Sequence, residues 1–225
     1  MAGLTFEGLD AATVRGNLER AREEIARAAS SAGRDPAEVE ILAAVKYVPA
    51  AVLDVLAEAG IELVGENRAQ ELEHKASTHP GRFTWDFIGQ LQSRKVKLIL
   101  PYVRYIHSVA SESVLAQLAR HASPATEVLV EVNVAGESGK SGIAPEGLGS
   151  FLERSPVRVV GLMTMPPLAR VSETNRRHFA ALRELADRHG LHHLSMGTSQ
   201  DYTVAVEEGA TIVRLGTCLY RPVAP

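Results

Sequence analysis

The sequence predicts an α/β fold, a closed (β/α)8 barrel of the TIM type with one extra helix at its N-terminus. Short apolar runs alternate with helical stretches through most of the 225 residues, and parallel strands joined by crossover helices produce this alternation. Eight such units in a length that suits one domain favour a closed barrel, so we treat residues 1–225 as a single domain. An open doubly wound sheet is the alternative, because a strand count from sequence varies by one or two.

The first element is the extra helix, which we expect from about Ala11 to Ala32. Its apolar residues recur at steps of three and four and form one stripe: Val14, Leu18, Ala21, Ile25 and Ala28. Gly33 follows where a helix C-terminus belongs.

Eight strands and seven intervening helices follow. The predicted strands are Ile41–Val45, Ile61–Val64, Phe83–Ile88, Val103–Ile106, Glu127–Val132, Val157–Leu162, Leu191–Leu194 and Thr211–Val213. The predicted helices lie near residues 50–59, 66–77, 92–100, 111–122, 145–154, 172–189 and 200–208, and a short helix is expected after the last strand. Gly60, Gly190 and Gly209 fall at helix ends, where glycine is the usual C-terminal cap.

Composition narrows the class of protein. The formal net charge is −3 and 23% of the residues are charged, so neither nucleic acid nor an anionic membrane is an expected partner. The single cysteine, Cys218, provides no disulfide framework and suits a reducing compartment. No signal segment is visible in residues 1–10, and no run approaches the ~20 apolar residues of a membrane span. We therefore expect a cytoplasmic protein.

Lys46 is the first candidate site residue. It follows the apolar run Ile41–Val45, and an ammonium at the end of a buried strand is costly unless it has a partner or a use. Burial disfavours the charged form, and a neutral amine attacks carbonyl groups to form a Schiff base. The alternative is a lysine that has simply reached the solvated end of its strand.

The last two strand ends predict a phosphate site. Barrels tend to bind phosphate with the loops after strands seven and eight and a short helix N-terminus. Here these loops contain Ser199, Gly216 and Thr217, whose hydroxyl and N–H groups suit an anion. The alternative for each loop is an ordinary Ser or Thr helix cap.

Arg214 closes the eighth strand and is expected inside the barrel. An arginine that faces a pyridine ring nitrogen keeps that nitrogen unprotonated, which makes the ring a weaker electron sink. The alternative is a salt bridge with a nearby carboxylate.

Three further residues have weaker signals. We interpret His107 as structural, Lys140 as a solvated loop lysine above the same face, and Cys218 as a small inert thiol. The eight histidines show no metal-ligand spacing, so no metal site is predicted.

A set of segments from about residue 40 to 220 is specific when its members are taken together and in order. They are Ala44-Val-Lys-Tyr47, Val64-Gly-Glu-Asn-Arg68, Phe87-Ile-Gly-Gln-Leu-Gln-Ser-Arg-Lys95, Glu131-Val-Asn-Val134, Gly139-Lys-Ser-Gly142, Gly161-Leu-Met-Thr-Met165, Ser195-Met-Gly-Thr-Ser-Gln-Asp201 and Val213-Arg-Leu-Gly-Thr217. On these segments the chain resembles the pyridoxal-phosphate homeostasis proteins, which look like the N-terminal barrel of bacterial alanine racemases.

The resemblance implies a cofactor and roles for particular residues. It implies pyridoxal 5'-phosphate (PLP) held as a covalent aldimine on Lys46, with phosphate contacts from Ser199, Gly216 and Thr217. It also implies Arg214 near the ring nitrogen and Asn67 near the cofactor. The implied function is intracellular PLP homeostasis without efficient catalysis, by a monomer or weak dimer, with apo forms of PLP-dependent enzymes as candidate partners.

Two other functions stay open. A PLP-dependent amino-acid racemase needs a proton acceptor on each face of the ring, and in the racemases that the barrel resembles the second acceptor is a tyrosine from a separate β domain. We expect this chain to lack that domain. Tyr47 is expected to point away from Lys46 on its strand, while Tyr202 and Tyr220 remain formal candidates. A Schiff-base aldolase for a phosphosugar would share the lysine and the phosphate site.

Overall fold

A computed structural model describes residues 5–168 and 170–221. Eight parallel strands form a closed barrel in chain order, and the eighth pairs with the first. The predicted barrel and its extra N-terminal helix are confirmed. Residues 1–4 and 222–225, the ends of the predicted domain, lie outside the described residues.

The elements alternate as the sequence pattern predicts. The strands are β1 (Glu40–Ala44), β2 (Leu63–Glu66), β3 (Thr84–Phe87), β4 (Val103–Val109), β5 (Glu127–Glu131), β6 (Arg158–Met163), β7 (His193–Thr198) and β8 (Ile212–Leu215). The helices are α1 (Ala11–Ser31), α2 (Leu53–Glu58), α3 (Ala69–Thr78), α4 (Val96–Ile99), α5 (Glu112–His121), α6 (Leu148–Glu153), α7 (Arg176–Arg188), α8 (Tyr202–Glu207) and α9 (Thr217–Tyr220). Short 3-10 turns lie at Pro36–Glu38, Ala50–Val52, Ser93–Lys95, Pro145–Gly147 and Ser172–Asn175.

Helix α1 packs across the outside of the barrel against α8 and α9. It begins at Asp10, whose carboxylate accepts the N–H of Thr13 at 2.8 Å, and this N-cap satisfies a donor that the first turn leaves open. The predicted apolar stripe is buried. Asn17 on the same helix donates to the carbonyls of Leu219 and Arg221 at 3.0 and 2.9 Å. The extra helix therefore fixes the short α9, which carries part of the candidate site.

Four strands differ from their predicted bounds in a way that affects the site. Strands β2, β4, β7 and β8 continue two to four residues beyond the predicted ends. Glu66, His107, Ser195 and Arg214 therefore lie within strands and not in the loops after them. The apolar pattern breaks off early because these polar side chains point into the protein and are buried there. Hydrogen-bonded partners make this burial tolerable.

Among the described residues, no helix is long and apolar enough to cross a membrane.

Candidate functional site

The pairing of β1 with β8 brings two predicted site segments together. Ala43 is the register partner of Leu215, and a Cβ added to Gly216 would lie 3.8 Å from the Cβ of Ala44. The chain that carries Lys46 and the chain that carries Thr217 therefore leave the barrel side by side, at the C-terminal ends of their strands.

The sequence pattern suggested that Lys46 ends a buried strand, but the structure places it beyond the strand. Strand β1 stops at Ala44, and Lys46 is a half-buried residue of the following turn. Its ammonium lies 4.9 Å from the centre of the Tyr47 ring, which is 41% exposed. The expectation that Tyr47 points away from Lys46 is wrong, because strand alternation does not apply in a turn.

A buried ion pair supports the backbone around Lys46, and sequence reasoning missed it. The ammonium of Lys75 lies 2.6 Å from Oε2 of Glu66 and 2.8 Å from the carbonyl oxygen of Val45, and both charged side chains are almost fully buried. The other oxygen of Glu66 accepts the N–H groups of Asn67 and Arg68 at 2.7 and 3.2 Å. One pair thus holds both the residue before Lys46 and the residue Asn67.

The signal for this pair was weak. Lys75 shares the apolar face of α3 with Ala69, Leu72 and Ala76, and a lysine in such a stripe usually snorkels to solvent. Its partner Glu66 is nine residues away on another element, so only the folded chain identifies the pair.

Asn67 lines the same cavity as Lys46, together with Tyr47, Arg68 and Lys75. A Cβ added to Gly89 would lie 2.0 Å from the carbonyl oxygen of Asn67. A side chain at residue 89 would therefore displace the Asn67 backbone, and the glycine after β3 allows this close approach.

Ser199, Gly216, Thr217 and Cys218 form a group that we call the donor cluster. The hydroxyl oxygen of Ser199 accepts the N–H groups of Gly216 and Cys218 at 3.1 and 3.4 Å. Thr217 begins α9 beside them. Ser199 therefore joins the β7 and β8 loops and does not cap its own helix α8, which was the alternative role. Two N–H groups of the cluster are thus bonded within it, to Ser199. In the described part of the chain no carboxylate is bonded to the cluster, and its hydroxyl and N–H groups suit an anion.

The neighbouring carboxylate, Asp201, has partners of its own. Its Oδ1 accepts the N–H and hydroxyl of Thr198 at 2.7 and 3.0 Å, and its Oδ2 accepts the amide of Asn175 at 2.8 Å. These bonds shape the loop between β7 and α8 and engage both oxygens of the carboxylate.

Arg214 is buried inside the barrel with 4% of its surface exposed. It donates to the Ser195 hydroxyl at 2.6 Å, to the carbonyl of Thr164 at 3.0 Å and to the sulfur of Met165 at 3.8 Å. In the described part of the chain it makes no salt bridge, which was its alternative role. Part of its five-donor fork is thus left for another acceptor.

Arg214 stays charged in this setting. Burial lowers the pKa of Arg214 to about 10, and the carboxylates of Asp201 and Glu131 work against that change. At neutral pH the group is a cation that can only donate hydrogen bonds.

Lys140 and Cys218 lie close to these groups. Lys140 forms an ion pair with Glu137 and lines two cavities at the barrel mouth, both shared with Met165. It is thus a paired loop lysine, not a purely solvated one. Cys218 is a free thiol, and burial raises its pKa, so the unreactive thiol form persists at neutral pH.

The structure thus gathers the predicted residues at one end of the barrel but in three places. Lys46 and Asn67 share one cavity, the donor cluster lies beside it, and Arg214 is deeper in the barrel. The Lys46 ammonium must turn away from Tyr47 to face the others. An exposed cation–π contact is worth only ~0.5–1 kcal/mol, so this rotation is easily offset by a ligand.

Comparisons with known proteins identify the family of the chain. Residues 16–222 match the model of the alanine racemase N-terminal domain. The chain is 41% identical over 217 residues to the pyridoxal phosphate homeostasis protein of Aquifex aeolicus, which covers 90% of this chain and 95% of that protein. It is 38% identical to the protein of the same name from Pseudomonas aeruginosa, over 92% and 95% of the two chains.

Solved structures give the same result. The structure of PipY from Synechococcus elongatus with PLP bound has a TM-score of 0.72 and 32% identity, covering 88% of this chain and all of that one. A lysine/ornithine decarboxylase from Vibrio vulnificus has a TM-score of 0.66 over 94% of this chain and 62% of its own, but at 16% identity it shows the shared fold alone. The chain belongs to the alanine racemase N-terminal domain family, and within that family to the pyridoxal phosphate homeostasis proteins.

Proposed function

We propose that this protein binds PLP reversibly as a Schiff base on Lys46 and serves intracellular PLP homeostasis. The observation that carries the proposal is the juxtaposition at the β1–β8 pair, where the Lys46 turn lies beside the donor cluster and above the buried Arg214. The PLP-bound structure of PipY supports the choice of ligand.

Each group fits one part of this ligand. The amine of Lys46 fits the aldehyde, and the two lose water when they condense. Ser199, Gly216 and Thr217 would contact the phosphate through hydroxyl and N–H groups, with the Gly216 N–H exchanging its bond to Ser199 for one to the phosphate. Asn67 lies beside Lys46. The spare N–H groups of Arg214 fit the lone pair of the ring nitrogen. The bound cofactor would supply an aldehyde and an electron-accepting ring.

We propose that the protein holds the cofactor without efficient catalysis. A guanidinium at the ring nitrogen leaves that nitrogen unprotonated, which weakens the electron sink that transamination and decarboxylation use. Holding the aldehyde on Lys46 limits its reaction with stray amines, and apo forms of PLP-dependent enzymes are the proposed recipients. A cytoplasmic location fits this role.

A racemase would need a second proton acceptor facing Lys46 across the ring. The hydroxyl of Tyr202 is bonded to Glu24 on α1, at the outside of the barrel. The Tyr220 side chain is buried and pairs its ring with Phe6. These contacts engage Tyr202 and Tyr220 away from Lys46, and the Tyr47 ring contacts the Lys46 ammonium itself.

The test is the visible spectrum of the protein with PLP, before and after borohydride. Wild type should show the absorbance of a Schiff base, and reduction should label Lys46. Lys46→Ala should abolish the band, whereas Lys97→Ala, which removes an exposed lysine of α4, should keep it. A full band in Lys46→Ala with label on another lysine would refute the assignment.

A turnover assay separates the holding protein from the racemase. Wild type loaded with PLP should turn over both enantiomers of the common amino acids negligibly. Turnover of about one per second or faster, the low end of ordinary enzyme rates, and its loss in Lys46→Ala would favour the racemase.

A further inference from the structure

A chain of hydrogen bonds crosses the barrel interior and ends on Arg214. The Arg214 guanidinium of β8 donates to the hydroxyl of Ser195 on β7 at 2.6 Å. That hydroxyl lies 2.8 Å from Nδ1 of His107 on β4, and Nε2 of His107 lies 3.0 Å from Oδ2 of Asp86 on β3. The four side chains are buried, with at most 4% of each exposed.

The chemistry of the end groups determines the direction of every bond. Arg214 can only donate, so the Ser195 oxygen accepts from it and the single Ser195 proton points to Nδ1 of His107. Nδ1 is then an acceptor, and the one proton of the neutral ring is on Nε2, which donates to Asp86. The chain therefore contains a neutral imidazole of one tautomer between a buried cation and a buried anion.

The far end of the chain is firmly held. Arg104 donates to both oxygens of Asp86 at 3.1 and 2.8 Å and to Glu40 at 2.7 Å, and the N–H of Tyr105 donates to Asp86 at 3.1 Å. Burial alone would raise the pKa of Asp86, but the hydrogen bonds from His107 and Arg104 hold it below its usual value. Asp86 is thus an anion with fixed geometry.

A protonated His107 does not fit this geometry. Its Nδ1–H and the Arg214 N–H would both donate to one hydroxyl, whose own proton would then lack an acceptor. Burial lowers the pKa of His107, Arg214 and Arg104 act in the same direction, and Asp86 opposes them. The neutral form keeps the chain intact.

The order Asp86, His107, Ser195 resembles a hydrolase triad, but Ser195 is fully buried and its oxygen is engaged by Arg214. The hydroxyl is out of reach of a substrate and acts on Arg214 instead. Arg214 has two oxygen acceptors, Ser195 and the Thr164 carbonyl. Removing the first would leave the guanidinium free to pivot about the second.

We propose that Ser195, His107 and Asp86 are positioning residues that aim the Arg214 guanidinium at the ring nitrogen of the cofactor. Recognition of the ring nitrogen thus depends on an anion at the other side of the barrel, which Arg214 does not touch. The inference rests on the proposed PLP site, and it adds a source of selectivity for the pyridine ring itself.

The test compares PLP with its 1-deaza analogue, in which a C–H group replaces the ring nitrogen. The dissociation constant of the analogue divided by that of PLP reports the ring-nitrogen contact, because the aldehyde and phosphate are common to both ligands. One hydrogen bond from a charged group predicts a wild-type preference for PLP of about tenfold or more. A residue that only supports the fold would weaken both ligands equally and leave the ratio unchanged.

We expect Ser195→Ala to lower the ratio at least about threefold, with His107→Gln lowering it as well because the amide cannot replace both ring nitrogens. Ser195→Thr keeps the hydroxyl and should restore the preference. The matched control is Ser108→Ala. It removes a buried hydroxyl of the β4 residue next to His107, which donates to the Gly89 carbonyl, and it should leave the ratio as in wild type.

An unchanged ratio in Ser195→Ala and His107→Gln, with both variants folded and forming the Lys46-dependent band, would overturn the inference and leave the proposed function standing. Equal affinity of wild type for the two ligands would overturn it as well. A wild type that binds neither ligand would overturn the proposed function together with the inference.

Discussion

Ser199 shows how one hydroxyl can organise an anion site. Its oxygen accepts two N–H groups from the start of α9, so the hydroxyl is held against the first turn of that helix. Nothing but backbone and hydroxyl groups contributes to the donor cluster. Binding there depends on geometry more than on net charge.

At the same scale we predict that the phosphate dominates affinity for the cofactor. Charge-assisted hydrogen bonds are worth ~1.5–3 kcal/mol each, so pyridoxal without its phosphate should bind at least about tenfold more weakly than PLP. The double variant Ser199→Ala with Thr217→Ala should lose a similar factor for PLP. Titrations that follow the visible band measure both losses.

The double variant also provides the control, because it should leave the affinity for pyridoxal nearly unchanged. Equal affinities of wild type for the two ligands would contradict the phosphate site.

The C-terminal end of β7 requires a glycine. Gly197 has a φ of +90°, in the region that L-residues avoid. A Cβ there would lie 2.6 Å from the Cβ of Ala205 and 2.9 Å from the Cα of Tyr202. The end of β7 therefore packs on α8 at a distance that no side chain permits, and the loop that follows it brings Ser199 to the start of α9.

We predict that Gly197→Ala destabilises the protein far more than Gly190→Ala. Both glycines have positive φ, but a Cβ at Gly190 meets nothing within 4 Å. The control should therefore cost only the conformational penalty of ~1–2 kcal/mol, while Gly197→Ala adds overpacking of ~1–3 kcal/mol. Urea unfolding measures both, and equal losses would contradict the close packing. Gly197→Ala should also weaken PLP binding, because Ser199 moves with the loop.

At the scale of the whole molecule, the barrel interior holds charge where an apolar filling would be the simplest solution. Asp86, His107 and Arg214 are buried together, and replacing such groups with apolar ones often stabilises a protein. Their retention in the interior fits a role in the site and not in folding alone.

These buried groups predict that stability falls in weak acid. Burial lowers the pKa of His107, and also that of His178 and His193. Below about pH 6.5 these histidines therefore bind protons in the unfolded chain while they stay neutral in the native state. The free energy of unfolding should fall as pH drops through this range, by up to ~1.4 kcal/mol per pH unit for the fully buried His107 and by less for the two more exposed histidines.

Urea unfolding at pH 7.5 and 5.5 checks this sign. His107→Gln should be less stable at pH 7.5 yet lose less on acidification, because one of the buried imidazoles is gone. Stability that rises toward pH 5.5, or a slope that His107→Gln leaves unchanged, would contradict the buried neutral ring.

The sequence by itself determined the alternation of strands and helices, because their periodicities are local patterns. The number of units favoured a closed barrel over an open sheet, and the pairing of β8 with β1 confirms it. The sequence also determined which strand ends carry Lys46, Ser199, Arg214 and Thr217, since the C-terminal ends of parallel strands converge on one face. The predicted end of β2 was wrong, because Glu66 is a polar residue that continues the strand.

Only the tertiary structure decided which polar groups share the interior. The contacts between Lys75 and Glu66 and between His107 and Ser195 join residues 9 and 88 positions apart. A buried polar side chain is stable only with its partner in place. That partner lies on another element, on the next helix for Glu66 and on the other side of the barrel sheet for His107, so no pattern within one element reveals it.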